Sequence, residues 1–122
     1  APRVVGMALW KARPEAGFTH HLDTCLVHPA IRGGGVGTTL LRRAAVRTAE
    51  TPGRGLYVWV LDGNLAAFNF YRSLGGEPAD RGLATLLGGE VPQTRIVWPE
   101  LSVLVERCDE RIANHVRRNR RQ

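Results

Sequence analysis

A glycine-rich segment, Arg32-Gly33-Gly34-Gly35-Val36-Gly37, is the first part of the chain whose residue types and spacing suggest binding chemistry. It lies between a β-prone run that ends at Val27 and an apolar pattern of helical period. Backbone N–H groups at the start of a helix have no partners within the helix and carry partial positive charge, so they bind phosphate oxygens. Glycine lets an anion approach the backbone because it has no Cβ. The segment therefore predicts a phosphate site, to which Arg32, Thr38 and Thr39 can add hydrogen bonds.

Single residues exclude two other phosphate-binding loops. A P-loop requires lysine directly after its last glycine, where this chain has Thr38. A dinucleotide-binding fingerprint requires a third glycine at the position of Leu40. A tight turn between a strand and a helix, with no ligand, stays the alternative interpretation of the glycines.

The β-prone run before the glycines carries candidates for proton transfer. His21, Asp23 and Cys25 alternate onto one face, because successive side chains of a strand point to opposite sides. Histidine, with an ordinary pKa of about 6.5, suits a general base at neutral pH. We expect His21 or Asp23 to act as the base, with a surface position as the alternative, whereas Cys25 is typical of packing. The histidines and cysteines match no metal-ligand spacing, so no metal is predicted.

Hydrophobic periodicity and turn residues predict the elements that position these side chains. The chain begins with a strand over Val4–Trp10, a turn at Lys11–Pro14 and a second strand over Leu22–Val27. A helix over Val36–Glu50, a buried strand over Leu56–Leu61 and a helix over Asn64–Leu74 follow. The last elements are a hairpin of Leu83–Leu87 and Arg95–Trp98 with a long loop, and a helix over Leu101–Arg118. Strands and helices alternate as in an α/β domain.

The composition is that of an ordinary folded domain. The 122 residues are 43% hydrophobic and 23% charged, and no apolar run approaches the roughly 20 residues that span a bilayer. Two distant cysteines build no disulfide framework, so we expect a cytoplasmic protein without membrane contact. The net charge of +6 suits a phosphate-rich ligand. An arginine-rich tail at residues 117–121 can attract nucleic acid, but no aromatic stacking platform accompanies it, so nucleic acid is the weaker hypothesis.

Three segments together resemble the GNAT superfamily of acyl-CoA-dependent N-acyltransferases. They are Val27-His28-Pro29 at the end of a strand, Arg32-x-x-Gly35-x-Gly37 at the start of a helix, and Asn64-x-x-Ala67-x-x-Phe70-Tyr71-x-x-Leu74-Gly75 in a later helix. The resemblance extends over residues 4–101. It implies an α/β fold with a mixed, mostly antiparallel sheet and helices on both faces. The implied order is strand, strand, helix, strand, helix, strand, strand, and a C-terminal helix follows. Residues 1–101 then form a partial acetyltransferase domain, and residues 102–122 form the C-terminal helix and basic tail.

The resemblance also implies a reaction, the direct transfer of an acetyl group from acetyl-CoA to a primary amine. Tyr71 matches the family residue whose phenol protonates the departing thiolate; the alternative is a half-buried core aromatic. His21 matches the position where many relatives place a glutamate or histidine that relays the amine proton. Asn64, seven residues before Tyr71, falls on the same helical face.

Most cofactor contacts implied by the resemblance come from the backbone. Leu26 and Val27 bond pantetheine, and the amides of Val36, Gly37 and Thr38 bond the pyrophosphate. The remaining residues of the implied cofactor site are Arg32, Gly33, Gly34, Gly35, Thr39 and Asn64.

Members of this superfamily usually carry a strand, two helices and another strand before the segments found here. Those helices form much of the wall that binds the acceptor. We therefore expect a fragment of a longer protein, a homodimer or partner chain that covers the exposed sheet edge, or an incomplete acceptor site. The last case corresponds to a second functional hypothesis, a non-catalytic CoA-binding or interaction domain. The sequence leaves the amine acceptor open.

Overall fold

The computed structural model describes residues 6–15, 18–27, 35–50 and 55–120. The elements in chain order are β1 (Gly6–Glu15), β2 (Phe18–Val27), α1 (Val36–Ala49), β3 (Leu56–Leu61), α2 (Leu65–Ser73), β4 (Glu77–Leu86), β5 (Gly89–Trp98) and α3 (Leu101–Arg120). This order confirms the predicted one. Among the described residues, no helix is long and apolar enough to cross a membrane.

One mixed sheet holds all five described strands, in the order β1-β2-β3-β5-β4. β2 and β3 pair in parallel, while β1 with β2, β3 with β5, and β4 with β5 are antiparallel. The connection between the parallel strands is α1, because parallel neighbours require a crossover. The predicted mixed, mostly antiparallel sheet is confirmed.

The hydrophobic core lies on the sheet face that carries Leu56, Val58 and Val60 of β3. Ile96 and Trp98 of β5 extend this face. The three described helices all contribute to the same core. The residues are Leu41 and Ala45 of α1, Tyr71 and Leu74 of α2, and Leu104 and Cys108 of α3. Helices were expected on both faces, but in the described part of the chain the three helices share one face.

The opposite face of β3 is aromatic and cationic instead of aliphatic. Tyr57 contacts the ring of His21 from β2, and Trp59 lies under the guanidinium group of Arg95 from β5. Tyr57 is fully buried, although the three described helices all contribute to the core on the other face. In the described part of the chain, His21 and Arg95 cover the ring of Tyr57 on this face.

A tight turn joins β4 and β5 where a long loop was predicted. The turn is Leu87-Gly88, with φ of 51° and 79°. Positive φ at both central residues is the geometry of a type I′ turn, whose twist matches antiparallel strands. The predicted loop is wrong because Gly88, Gly89 and Pro92 interrupt the apolar pattern, although Gly89 and Pro92 pair with β4 in the sheet. Pro92 fits because β3 ends at Leu61, so among the described strands only β4 pairs with it.

The strand β1 continues through the turn predicted at Lys11–Pro14, so that prediction is wrong. The register with β2 shifts twice along the strand. Such irregularities, together with the position of β1 at the end of the described sheet, accommodate the proline. β2 is likewise longer than predicted and begins at Phe18 instead of Leu22.

Caps fix both ends of α2 close to the predicted bounds. The side chain of Asn64 accepts a hydrogen bond from the Ala67 N–H at 3.2 Å, so the helix begins at Leu65. After the helix, Gly75 has a φ of 87°, and its N–H donates to the carbonyl oxygen of Arg72 at 3.0 Å. This left-handed residue ends the helix, as the glycine pair predicted.

Candidate active site

The start of α1 has the features of an anion site. Its N-cap is Gly35, with φ of 85°, and no side-chain cap bonds the first turn among the described residues. The first turn also contains no acidic residue. The N–H groups of Val36, Gly37 and Thr38 precede the first backbone bond of the helix, which runs from Thr39 N–H to the Gly35 carbonyl at 3.0 Å. An external anion can therefore bind these amides and the positive end of the helix dipole.

The hydroxyl of Thr39 bonds back along the helix and leaves the first N–H groups uncapped. It donates to the Gly35 carbonyl oxygen at 2.9 Å. Thr38 is 3% exposed, so its side chain belongs to the helix packing. Arg32, Gly33 and Gly34, which were predicted to complete the loop, lie outside the described residues.

The parallel strands β2 and β3 pair only at their beginnings. The two described residue pairs are His20 with Leu56 and His21 with Tyr57. Beyond them, β2 continues to Val27 and β3 to Leu61, with no further described pair between the two strands. Unpaired backbone N–H and C=O groups need partners, so an extended ligand with amide groups fits this opening. The predicted backbone contacts of Leu26 and Val27 lie in this part of β2.

Tyr71 lies on the helix-covered face of the sheet. It is 7% exposed, and its ring meets the ring of Trp98 edge-on, with centroids 5.7 Å apart and planes at 81°. The indole N–H of Trp98 donates to the Leu74 carbonyl at 3.2 Å. These contacts hold the ring of Tyr71 between α2 and β5.

The close approach of α2 to β5 depends on Gly76. A Cβ at this position would lie 2.5 Å from Cγ2 of Ile96, 2.8 Å from the Trp98 ring and 2.9 Å from the Tyr71 carbonyl oxygen. Any larger residue would push the end of α2 away from the strand. Gly76 therefore fixes the distance at which Tyr71 meets the sheet.

His21 lies on the other face of the sheet from Tyr71. It is 8% exposed and stacks on the ring of Tyr57, with centroids 4.8 Å apart and planes at 19°. Arg95, 6% exposed, places its guanidinium carbon 5.5 Å from the same ring and 4.4 Å from the Trp59 ring, and it also pairs with Asp80. Tyr71 and His21 therefore lie on opposite faces of the sheet. The side chain of Asp23, the other predicted base, lies outside the described part of the structure.

Sequence reasoning missed the cluster around Arg95. Trp59 and Arg95 are directly opposite each other in the pairing of β3 with β5, and Arg95 is opposite Asp80 in the pairing of β5 with β4. Alternation within each strand puts Tyr57 and Trp59 on one face, but only the register between strands brings the charged partners to them.

The amino-acid sequence decides the family. Residues 2–75 match the sequence model of the acetyltransferase (GNAT) family. This chain belongs to that family. The start of α1, the parallel strand pair and Tyr71 all lie in the matched part of this GNAT chain. A search of curated proteins found no match.

Solved structures share this GNAT fold at low sequence identity. The ribosomal-protein-alanine N-acetyltransferase of Brucella melitensis is 27% identical, with a TM-score of 0.67 over 82% of this chain and 66% of that chain. NAA60 of Arabidopsis thaliana, solved with acetyl-CoA, is 18% identical, with a TM-score of 0.66 over 79% and 66%. A chain of the NatC complex bound to Gag peptide and CoA is 19% identical, with a TM-score of 0.68 over 79% and 61%. The GNAT chain described here thus spans 61% to 66% of the length of these relatives.

Asn64 precedes α2 instead of lying on its face with Tyr71. Its side-chain oxygen caps the helix, and the residue is exposed. It lines a cavity of about 410 Å³ between the start of α2 and β4, whose rim carries the ion pair of Asp62 and Arg81 at 2.6 Å. The described lining residues of this cavity come from β3, α2, β4, β5 and the loop before α2, so the cavity lies away from the start of α1.

No group of three or more histidine, cysteine, aspartate or glutamate side chains that could hold a metal ion occurs within residues 6–15, 18–27, 35–50 and 55–120. Of the predicted acid and base candidates, the side chains that the structure describes are the phenol of Tyr71 and the imidazole of His21.

Proposed function

We propose that this chain binds acetyl-CoA and transfers its acetyl group to a primary amine. The observation that carries the proposal is the succession of two features along the chain. An opening between β2 and β3 suits an extended ligand with amide groups, and an anion-binding helix start follows directly after β2. Coenzyme A combines these chemical properties, because its pantetheine arm contains amides and its nucleotide end contains phosphates. Two of the relatives were solved with CoA or acetyl-CoA.

The donor is held mainly by backbone groups. In this proposal the amides of Val36, Gly37 and Thr38 bond the pyrophosphate. Arg32, Gly33 and Gly34, which lie outside the described residues, stay candidates on their motif alone. Leu26 and Val27 bond the pantetheine arm through the main chain. Asn64 stands at the start of α2, where its amide group can add a further hydrogen bond while its oxygen caps the helix.

In this proposal each proton transfer is carried out by a side chain on a different face of the sheet. The amine nitrogen forms a bond to the acyl carbon while the bond from that carbon to sulfur breaks, so the amine loses a proton and the thiolate gains one. Tyr71, on the helix-covered face, donates the proton to sulfur. His21, on the opposite face, accepts the amine proton, with Asp23 as the alternative base. In this proposal the acyl carbon lies in the opening between β2 and β3, where both faces are within reach.

Peptide N-termini are the first acceptors to test. The Brucella relative is named for a ribosomal-protein alanine, and the NatC relative was solved with a peptide. A panel of such peptides, lysine-containing peptides, polyamines and aminoglycosides, each with acetyl-CoA, measures release of the CoA thiol. We expect thiol release that depends on one class of amine, and mass spectrometry should then find one added acetyl group on that amine.

The panel also tests the alternative of a non-catalytic CoA-binding domain. This alternative is favoured by the placement of Tyr71 and His21, which are 7% and 8% exposed, on opposite faces of the sheet. Calorimetric binding of CoA without thiol release from any amine would support it and exclude transfer by this chain alone. Absence of CoA binding would exclude both functions.

A further inference from the structure

The C-terminal helix α3 runs antiparallel to α1, and its last turns pass the start of that helix. Arg42 of α1 pairs with Asp109 of α3 at 2.5 Å. Further along, the Cδ2 atom of His115 lies 3.6 Å from the position that a Cβ on Gly35 would occupy. From the first of these contacts to the second, the residue number rises along α3 and falls along α1. The two helices are therefore antiparallel. His115 is therefore level with the N-cap of α1.

The position of α3 is fixed by packing and not by this contact alone. Leu104 and Cys108 are fully buried in the core that α1 also lines. Ile112 and His115 are half-buried and follow Cys108 at helical spacing. The same face of α3 thus leads from the core to the start of α1.

Arg118 follows on this face, one turn beyond His115. Three residues of α-helix advance about 4.5 Å along the axis and return to within roughly 60° of the starting direction. Arg118 therefore lies beyond the first residue of α1, on the side of α3 that faces it. An anion bound by the first amides of α1 occupies this region, since those N–H groups point out along the helix axis. Arg118 is exposed, and its flexible side chain can reach a ligand there.

We infer that α3 forms one wall of the donor's phosphate site, with His115 and Arg118 as phosphate-binding residues. This inference rests on the proposed function, because it takes the phosphates of acetyl-CoA as the ligand. The shared chemistry is that of a phosphate oxygen, which the pyrophosphate or the phosphate on the ribose can supply. A charge-assisted hydrogen bond from arginine to phosphate contributes both affinity and orientation.

Basic residues near the end of a helix also have a purely structural explanation. They interact favourably with the negative end of the helix dipole, whatever the ligand. This explanation applies equally to Arg117 and Arg118. Arg117 points to the other side of α3, about 200° around the axis from His115, and its side chain donates to the Asn114 side chain at 3.3 Å. Arg117 is therefore a control with the same charge, only one residue further from the helix end.

The test is a calorimetric titration of CoA, dephospho-CoA and pantetheine into the full chain and three variants. We expect Arg118→Ala to weaken CoA binding about three- to tenfold, and His115→Ala to weaken it by about threefold, the range of a partly exposed ionic contact. Arg117→Ala should change the affinity less than roughly twofold, and pantetheine should bind all four proteins alike. If Arg118 contacts the phosphate on the ribose, its loss will remove the preference for CoA over dephospho-CoA. If Arg118 contacts the pyrophosphate, its loss will lower the affinities for CoA and dephospho-CoA by the same factor.

Equal effects of Arg117→Ala and Arg118→Ala on CoA binding, or no effect of either, would overturn the inference while leaving the proposed function intact. A wild-type chain that binds no CoA would overturn the proposed function and the inference with it. Because Arg118 is exposed, its replacement should leave the fold unchanged, which circular dichroism checks. The charge reversal Arg118→Glu provides a second variant, for which a larger loss of CoA affinity is expected.

Discussion

Replacement of Tyr71 by phenylalanine tests whether Tyr71 donates a proton or only packs in the core. The ring is 7% exposed and contacts Trp98 at 5.7 Å and Phe70 at 5.4 Å between centroids. Phenylalanine keeps both ring contacts, so the loss of folding free energy is limited to the hydroxyl, about 0.5 to 1.5 kcal/mol. If the hydroxyl protonates the departing thiolate, turnover should fall about 10²- to 10⁴-fold, while the affinity for CoA barely changes.

The assay is thiol release at saturating acetyl-CoA and acceptor, under conditions where the chemical step limits the rate. Tyr57→Phe is the matched control, because Tyr57 is also buried but lies on the opposite face of the sheet. The phenylalanine ring retains the stacking on His21, so near wild-type turnover is expected of this variant. Tyr71→Phe with turnover like that of Tyr57→Phe would refute the assignment and leave water as the acid.

Three further predictions concern the base, the packing of α2 and the buried thiol. His21→Ala should lower turnover most at neutral and lower pH, where free amine is scarce, and turnover should partly recover at high pH. An equal loss of turnover at all pH values would argue against His21 as the base. Gly76→Ala should lower the free energy of unfolding by about 1 to 3 kcal/mol or more in a denaturation experiment, because its Cβ would lie 2.5 Å from Ile96. In the control Gly89→Ala the nearest contact of the Cβ would be at 3.7 Å, so the free energy of unfolding should change little. Burial raises the pKa of the Cys108 thiol to about 12 from an ordinary 9.0. Its thiolate fraction at pH 8 is therefore about 10³-fold below that of an ordinary thiol. Labelling with a thiol reagent should require unfolding of the protein. Fast labelling of Cys108 in the native protein would contradict this last prediction.

Short-range sequence signals were sufficient to predict the bounds of some helices and strands. The helices α1 and α2 and the strand β3 were predicted to within a residue, because glycine, proline and apolar periodicity mark their ends. The polar strand β4 was missed over most of its length. Its residues are exposed at nearly every position, so the alternation that identifies a strand is absent from the sequence.

The arrangement of the site depended on contacts between distant residues. The sequence placed His21 and Tyr71 in their elements, but it could not assign them to opposite faces of the sheet. That assignment requires the parallel register of β2 with β3 and the packing of α2 on β5. The contact of His115 with Gly35 similarly depends on how α3 docks on α1, for which no short-range pattern exists.

The measurement that tests the central claim most directly is a calorimetric titration of CoA into the wild-type chain and into Gly37→Leu. Gly37 lies in the first turn of α1, where leucine is a better helix former than glycine, so the fold should be retained. A side chain at this position blocks the approach of phosphate to the backbone amides. We predict saturable CoA binding by the wild type and none by a folded Gly37→Leu protein. Equal affinity of the two proteins for CoA would contradict a phosphate site at the start of α1.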